Sequence, residues 1–241
     1  MLIKKLINLF INKNKLYSNP NKHAPKPHLK AFKDGFKVEG YQEFEINRKY
    51  IKPFSTSYDL ESKDVILSNY FTKEKLYKKT FLDLGAACGY FTFLALINGC
   101  KHATAIDIDK KHLEIIDKIA RAYNINNLTI SSCNISEYKG SADIVNALSI
   151  IHWVYSCTSI FGSMENMIKF FRNITNEILF IEWIDPSDEA IQYFKHLDYN
   201  SSKTDDSYNY DSFVTELNKY FGSVSIIGNT RSTRKILKAV V

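Results

Sequence analysis

Between residues 80 and 183 the chain alternates short apolar runs with longer amphipathic segments. The apolar runs predict five strands, at residues 80–84, 102–107, 127–132, 142–149 and 177–183. The segments between them predict helices at residues 89–98, 109–123 and 163–175. Strands that alternate with helices of this length form βαβ units, so the pattern predicts an α/β fold with a parallel sheet.

Two further regions flank this alternation. Upstream, residues 59–77 carry apolar side chains at helical spacing. Downstream, "DSFVTELNKYF" (211–221) predicts a helix, and residues 223–228 and 233–240 predict two last strands. Because the "GNTRS" connection between those strands is too short for a parallel crossover, we expect the final pair to be antiparallel.

The stretch "DLGAACG" (83–89) lies where the first of these strands meets the first helix. Open α/β sheets bind ligands at such junctions, and Gly85 and Gly89 allow a tight turn and a close approach of the backbone. A dinucleotide-binding turn has a further glycine where this chain has Ala87, and the GK[ST] of a P-loop is absent. The turn therefore disfavours a nicotinamide oxidoreductase, and the alternative to a ligand site is a pair of ordinary turn glycines.

The next strand ends in an acid, Asp107, which lies 18 residues beyond Gly89. A carboxylate there accepts hydrogen bonds from both hydroxyls of a ribose, and Ile108 offers an apolar surface to a purine. Asp83, before the glycines, repels a diphosphate and attracts an ammonium group. These residues predict a nucleoside ligand with a positive charge near the glycines, whereas helix capping is the alternative role for Asp107.

On "LDLGAACGYF" (82–91) and "AIDID" (105–109), the chain resembles the class I S-adenosylmethionine-dependent methyltransferases over residues 59–241. The resemblance implies a Rossmann-like, doubly wound, seven-stranded sheet, mostly parallel with an antiparallel last strand. It also implies S-adenosyl-L-methionine as cofactor, with an amide, Asn134, where the family usually has an acid near the adenine amine. The candidate cofactor-binding residues are Asp83, Gly85, Ala86, Gly89, Asp107, Ile108, Asn134 and Ser149.

The acceptor pocket is expected at the carboxyl end of the fourth strand, in "ADIVNALSIIHWVYSC" (142–157). His152 is the candidate general base or acceptor-orienting residue, with Asn146 and Trp153 nearby. The alternative is a histidine packed at the start of a helix. At the end of the fifth strand, Glu182 either faces this pocket as a second catalytic residue or anchors a loop by hydrogen bonds.

The motifs also exclude some classes of methyl acceptor. "NALSI" (146–150) is not the Asn/Asp-Pro-Pro-Tyr of base amino-methyltransferases, and neither Cys133 nor Cys157 follows proline, as a nucleophile for base C5-methylation would. Residues 148–188 resemble, more weakly, the methyltransferase domains of bacterial polysaccharide biosynthesis enzymes. This second resemblance implies a small-molecule or glycan acceptor that is methylated on oxygen.

The basic charge of the chain lies in an N-terminal arm. Residues 1–52 carry 12 lysines and arginines against 4 acidic residues, whereas residues 53–241 carry 20 against 22. We expect residues 1–30 to be a basic amphipathic segment with a proline-containing linker, and residues 31–241 to be the methyltransferase domain. Residues 1–16 favour a peripheral contact with the inner face of a membrane. Docking on the protein's own surface and a loose tail are the alternatives.

Two other functions stay open from the sequence. An RNA methyltransferase would use the basic arm to hold its substrate, although the weakly acidic body makes nucleic acid the weaker candidate. A non-catalytic protein would bind the cofactor without turning it over. The four cysteines form no CxxC pair and no metal-ligand or disulfide pattern, so the expected compartment is the cytoplasm.

Overall fold

The computed structural model describes residues 44–46, 49–51, 59–157, 160–193 and 208–241. The segment expected at residues 1–16 and the linker up to residue 30 lie outside the described residues. Within these ranges, no helix is long and apolar enough to cross a membrane.

The helices and strands follow the predicted alternation closely. The strands are β1 (Phe44–Ile46), β2 (Lys49–Ile51), β3 (Thr80–Leu84), β4 (His102–Asp107), β5 (Leu128–Ser132), β6 (Ala142–Ala147), β7 (Thr175–Ile184), β8 (Ser223–Arg231) and β9 (Arg234–Val240). The helices are α1 (Asp59–Ser68), α2 (Lys73–Leu76), α3 (Tyr90–Ile97), α4 (Lys110–Ala122), α5 (Met164–Ile174), α6 (Glu189–Tyr193) and α7 (Tyr210–Tyr220).

Strands β3 to β9 form one seven-stranded sheet in the order β5-β4-β3-β6-β7-β9-β8. All neighbours are parallel except β9, which runs antiparallel to both β7 and β8. The predicted Rossmann-like sheet with an antiparallel last strand is therefore confirmed. The strand order reverses between β3 and β6, and in open α/β sheets the ligand crevice lies at such a reversal, outside the carboxyl ends of the two strands.

Each face of the sheet packs against its own hydrophobic cluster. Because successive side chains of a strand point to opposite faces, Phe81 packs in the cluster that includes α3, whereas Leu82 packs in the cluster that includes α5. The same alternation places Phe180 of β7 on the α3 face. Two side chains at the ends of these strands, Asp83 and Glu182, consequently share that face.

The helix predicted over residues 59–77 is interrupted between α1 and α2. Phe71, in the interruption, is buried, and its ring lies 5.2 Å from that of Phe81 and 5.3 Å from that of Phe180. Tertiary packing of this aromatic residue thus overrides local helical propensity.

Two predicted boundaries also shift. The fourth predicted strand ends at Ala147 because Ser149 has a positive φ of 53°, which a strand does not allow. The last two strands join through a two-residue turn at 232–233 rather than through the whole of "GNTRS". Gly228 and Asn229 instead lie at irregularities in the register of β8 with β9.

Candidate active site

The glycine turn after β3 is built from backbone in the left-handed region. The φ angles are +67° at Gly85, +46° at Ala87 and +85° at Gly89, and only glycine adopts such values without strain. The amide of Ala86 donates to the carbonyl of Ile106 at 2.9 Å. The turn is therefore fastened to the end of the neighbouring strand β4.

Close packing also favours glycine at positions 85 and 89, more strongly at 89. A Cβ atom at Gly85 would lie 2.8 Å from Cδ1 of Ile150, and one at Gly89 would lie 2.9 Å from Cγ1 of Ile116. The first contact is with the segment after β6, and the second is with α4. The turn is thus held between the two neighbouring elements of the crevice.

Asp107 closes the other side of the turn. Its Oδ2 accepts a hydrogen bond from the Ala87 amide at 2.8 Å, and its Oδ1 accepts one from the Asp109 amide at 2.8 Å. Burial opposes ionisation of this carboxyl, but a hydrogen bond from His112 and these amides outweigh it and lower its pKa. Asp109, not Asp107, caps α4 by accepting from the Lys111 amide, so the alternative role foreseen for Asp107 is filled by its neighbour.

The residues expected around an adenine differ in their surroundings. Ile108 is 75% exposed, which is unusual for a large apolar side chain and leaves it open to a ligand. Asn134 is half-buried, and its Oδ1 accepts from the amide and the hydroxyl of Ser136 at 3.3 and 3.2 Å. Its expected role as acceptor for the adenine amine stays a prediction.

Asp83 lies buried beneath the turn. Its Oδ2 accepts from the hydroxyl of Thr92 at 2.7 Å, and its Oδ1 accepts from the amide of Asn146 at 2.8 Å. Burial raises the pKa of this carboxyl to about 6, because the charged form loses its hydration. The Oδ1 of Asn146 is buried and has no hydrogen-bond partner among the described residues. A carboxyl and a spare carbonyl oxygen are acceptors that suit an ammonium group.

Glu182 is fully buried at the carboxyl end of β7. Its Oε2 accepts from the amide of Ser149 at 2.8 Å and lies 2.9 Å from Nζ of Lys63, while its Oε1 accepts from the hydroxyl of Thr230 at 2.8 Å. Burial opposes ionisation, but the charge of Lys63 outweighs it and lowers the pKa of Glu182. These contacts match the loop-anchoring alternative, and a direct catalytic role for Glu182 stays a prediction.

His152 is only 3% exposed, although its neighbour Trp153 is 37% exposed. Its Nδ1 is buried and has no hydrogen-bond partner in the part of the chain that the structure describes. Burial and the charge of Arg234 lower its pKa to about 3, so the imidazole is neutral at ordinary pH. A neutral imidazole accepts hydrogen bonds, but a pKa this low makes it a weak base.

A second buried ion pair flanks this region. Asp188 accepts from Nε and Nη2 of Arg234 at 2.8 and 2.7 Å and from the hydroxyl of Thr233 at 2.5 Å. The bidentate pairing with Arg234 outweighs burial and lowers the pKa of Asp188. The start of β9 is thereby fixed to the loop after β7.

Comparisons with known proteins concern the fold of the part of the chain that holds this site. Residues 75–181 match the family model described as a methyltransferase domain. Around these residues the chain has the fold of the solved methyltransferases described next. No curated protein sequence matches the chain.

Solved structures of methyltransferases resemble this chain in fold. Magnesium protoporphyrin IX methyltransferase (ChlM) from Synechocystis PCC 6803 has a TM-score of 0.55 and 15% identity, covering 75% of this chain and 81% of that chain. N-methyltransferase NodS from Bradyrhizobium japonicum WM9 has a TM-score of 0.52 and 15% identity, covering 76% and 94%. WbdD has a TM-score of 0.54 and 16% identity, covering 75% of this chain but 40% of that one. At 15–16% sequence identity, these matches show a shared fold and nothing more.

The residues matched by the family model, 75–181, contain the glycine turn, Asp107 and His152, but they end one residue before Glu182. Sequence reasoning missed three residues that meet near this glutamate, namely Lys63, Thr230 and Arg234. They lie on α1, β8 and β9, outside any motif. The only sequence signal for Lys63 is its place within a helix that mixes charged and apolar residues, which is also typical of solvent-facing lysines.

Proposed function

We propose that this protein is an S-adenosylmethionine-dependent methyltransferase that transfers a methyl group to oxygen of a small-molecule or glycan acceptor. The observation that carries the proposal is the junction of the glycine turn with Asp107, whose Oδ2 lies 2.8 Å from the Ala87 amide. Beside this junction stands the exposed side chain of Ile108. A turn, an ionised acid and an apolar side chain at adjoining strand ends suit a nucleoside cofactor.

The methyl donor is S-adenosyl-L-methionine, and ChlM is solved with both SAM and SAH bound. In our proposal Asp83 attracts the ammonium group, Asp107 accepts from the ribose hydroxyls and Ile108 covers the adenine. The sulfonium group of the cofactor supplies a methyl group that is already activated for displacement. The full set proposed to hold it is Asp83, Gly85, Ala86, Gly89, Asp107, Ile108, Asn134 and Ser149.

The protein's own contribution to the reaction is positioning. Alignment of two reacting groups lowers a barrier by about 7–11 kcal/mol in favourable cases. We assign His152 to accept a hydrogen bond from the acceptor hydroxyl, because its imidazole is neutral and its Nδ1 has no partner among the described residues. We assign Glu182 to hold the segment that carries His152, through its bonds to Ser149.

The glycan class of acceptor is supported by the resemblance of residues 148–188 to polysaccharide methyltransferase domains. The named neighbours do not narrow it further, because one is a porphyrin methyltransferase, one is an N-methyltransferase and one is a bifunctional kinase-methyltransferase. The free thiols of Cys88, Cys100 and Cys133 are in keeping with a reducing cytoplasm, which we propose as the compartment.

Calorimetric titration of the full chain with S-adenosyl-L-methionine and S-adenosyl-L-homocysteine tests the cofactor. We expect both to bind, and the absence of heat at high micromolar ligand would overturn the proposal. Mass spectrometry of surface glycans from a strain that lacks the gene then tests the acceptor, and we expect a loss of methyl groups. An unchanged glycan together with hypomethylated RNA would replace the glycan acceptor with RNA.

A contact of residues 1–16 with the membrane face is part of this proposal. Flotation of the full chain with anionic vesicles, compared with a chain lacking residues 1–16, tests it. We expect only the full chain to float, because basic amphipathic segments bind anionic lipid surfaces. Equal behaviour of the two chains would remove the membrane contact and leave the enzymatic proposal intact.

A further inference from the structure

Lys63 is a buried cation that no sequence motif and no family match assigns to the site. It lies on α1, and its side chain is 7% exposed, while that of its partner Glu182 is 0% exposed. Its Nζ lies 2.9 Å from Oε2 of Glu182 and donates to Oγ of Ser149 at 2.6 Å. Burial of a charged group is costly unless that group is paired and hydrogen-bonded. The carboxylate of Glu182 and the hydroxyl of Ser149 therefore fix the position of the Lys63 ammonium group.

Ser149 is the strained residue of this group. Its φ of 53° is uncommon for a residue other than glycine, and such conformations persist only where the surroundings enforce them. Both its amide and its hydroxyl donate to Oε2 of Glu182, at 2.8 and 3.1 Å. The strained backbone is therefore held by a carboxylate, and Lys63 lowers the pKa of that carboxylate.

The strained residue connects the two sides of the crevice. Ile150 follows it directly and packs so closely on the glycine turn that a Cβ at Gly85 would lie 2.8 Å from its Cδ1. Two residues further along is His152, and then comes the half-exposed Trp153. A shift of Ser149 would consequently move both the contact with the turn and the histidine.

We propose that Lys63 is a positioning residue for methyl transfer, acting through Glu182 to hold Ser149 and the segment that follows it against the glycine turn. This inference rests on the proposed function. It makes α1 part of the catalytic unit, although the helix lies outside the matched residues 75–181. Lys63 itself touches neither of the reacting groups in this account.

The chain offers a matched control, a second lysine–glutamate pair whose glutamate also lies on β7. Lys79 forms an ion pair with Glu177 near the start of β7, at the end of that strand opposite to Glu182. Both side chains are substantially exposed there, at 37% and 42%. K63M and K79M therefore remove the same charge from a lysine–glutamate pair, but only K63M removes it from beside the crevice.

Two readouts need no knowledge of the acceptor. The first is acrylamide quenching of tryptophan fluorescence, which reports on Trp153 because the only other tryptophan, Trp183, is fully buried. The second is calorimetric titration with S-adenosyl-L-homocysteine. Both are measured on the folded full chain below its melting temperature, so that global destabilisation alone does not change them.

In K63M the quenching constant is expected to rise about twofold, because a segment that loses its anchor opens more often. The dissociation constant for S-adenosyl-L-homocysteine is expected to rise about tenfold, because small displacements of a positioning segment are costly. K79M should match the wild type in both. A folded K63M that also matches the wild type would overturn the inference.

Should K63M fail to fold, E182Q takes its place, since it removes the charge of the anchor and leaves Lys63 present. The same increase in quenching is expected, and its absence would overturn the inference. Failure of the proposed function is distinguishable from this result. In that case the wild-type chain itself would not bind S-adenosyl-L-homocysteine, whatever residue 63 is.

Discussion

The two edges of the crevice are built on different principles. The cofactor edge, residues 83–109, is fastened mainly by backbone groups of one turn and one neighbouring strand. The acceptor edge joins Ser149 to Lys63 across 86 positions, Glu182 to Ser149 across 33, and Glu182 to Thr230 across 48. A local motif suffices for the first edge, whereas the second exists only when distant segments have already met.

The greatest effect that we expect is a loss of folding stability when the ion pair at the acceptor edge is removed. K63M leaves the buried carboxylate of Glu182 without its cation, and removing one partner of a buried pair costs about 3–5 kcal/mol. We expect this loss in the free energy of unfolding, measured by urea denaturation. K79M should leave the denaturation midpoint almost unchanged, because exposed ion pairs contribute little. Equal losses of stability in K63M and K79M would contradict the view that only the buried pair, at the carboxyl end of β7, contributes strongly.

His152→Ala separates the two edges in activity. We expect turnover to fall about 100-fold, since the acceptor hydroxyl loses the hydrogen-bond acceptor that orients it. The affinity for S-adenosyl-L-methionine should change little, because the cofactor edge lies on other strands. Transfer of labelled methyl groups to glycans from a strain lacking the gene measures the first quantity, and calorimetry measures the second. Weakened cofactor binding with unchanged turnover would reverse our assignment.

Asp107→Ala probes the cofactor edge alone. It removes the acceptor of the Ala87 amide and the proposed partner of the ribose, and we expect the cofactor to bind at least about tenfold more weakly. Asp109→Ala is the matched control, because the Asp109 carboxylate caps α4 by accepting from the Lys111 amide, whereas that of Asp107 accepts from the Ala87 amide of the turn. That variant should lose about 1 kcal/mol of stability and keep its affinity. Similar affinities for the two variants would reduce Asp107 to a structural role.

The smallest effect is a pH dependence of cofactor affinity. Burial raises the pKa of Asp83 to about 6, and only its ionised form attracts an ammonium group. As pH rises through this value the carboxylate forms and affinity should increase; as pH falls below it, affinity should fall by up to about tenfold per pH unit. Titration calorimetry between mildly acidic and neutral pH measures the effect. The dependence should vanish in Asp83→Asn, and its persistence there would assign it to another group.

The fold was predictable because its signals are local and periodic. Each strand of the α/β alternation appears within two or three residues of its expected place. The exceptions have tertiary causes: Phe71 interrupts a helix because it packs between Phe81 and Phe180. Ser149 ends a strand because Glu182 holds it in a conformation that its own sequence does not favour.

The residues of the candidate site likewise fall into those that the sequence predicts and those that it does not. Gly85 and Asp107 were found from a motif and a spacing, since their partners lie within one βαβ unit. Lys63 could not be found, because nothing along α1 distinguishes a lysine that turns inward from one that faces water. The inward orientation depends on Glu182, which is contributed by a strand on the far side of the switch in strand order.

The close approach of Ile66 on α1 to Gly228 on β8, where an added Cβ would lie 2.5 Å from Cδ1, has a consequence for biosynthesis. Helix α1 is synthesised early but packs on β8, which is synthesised late. Residue 228 must therefore leave the ribosome before α1 can pack in its final position. A nascent chain halted near residue 190 would already display the glycine motif while lacking the surface that receives α1. Because β8 joins the sheet only through β9, ribosome-stalled fragments of increasing length should acquire protease resistance around residue 63 abruptly, once both β8 and β9 have emerged.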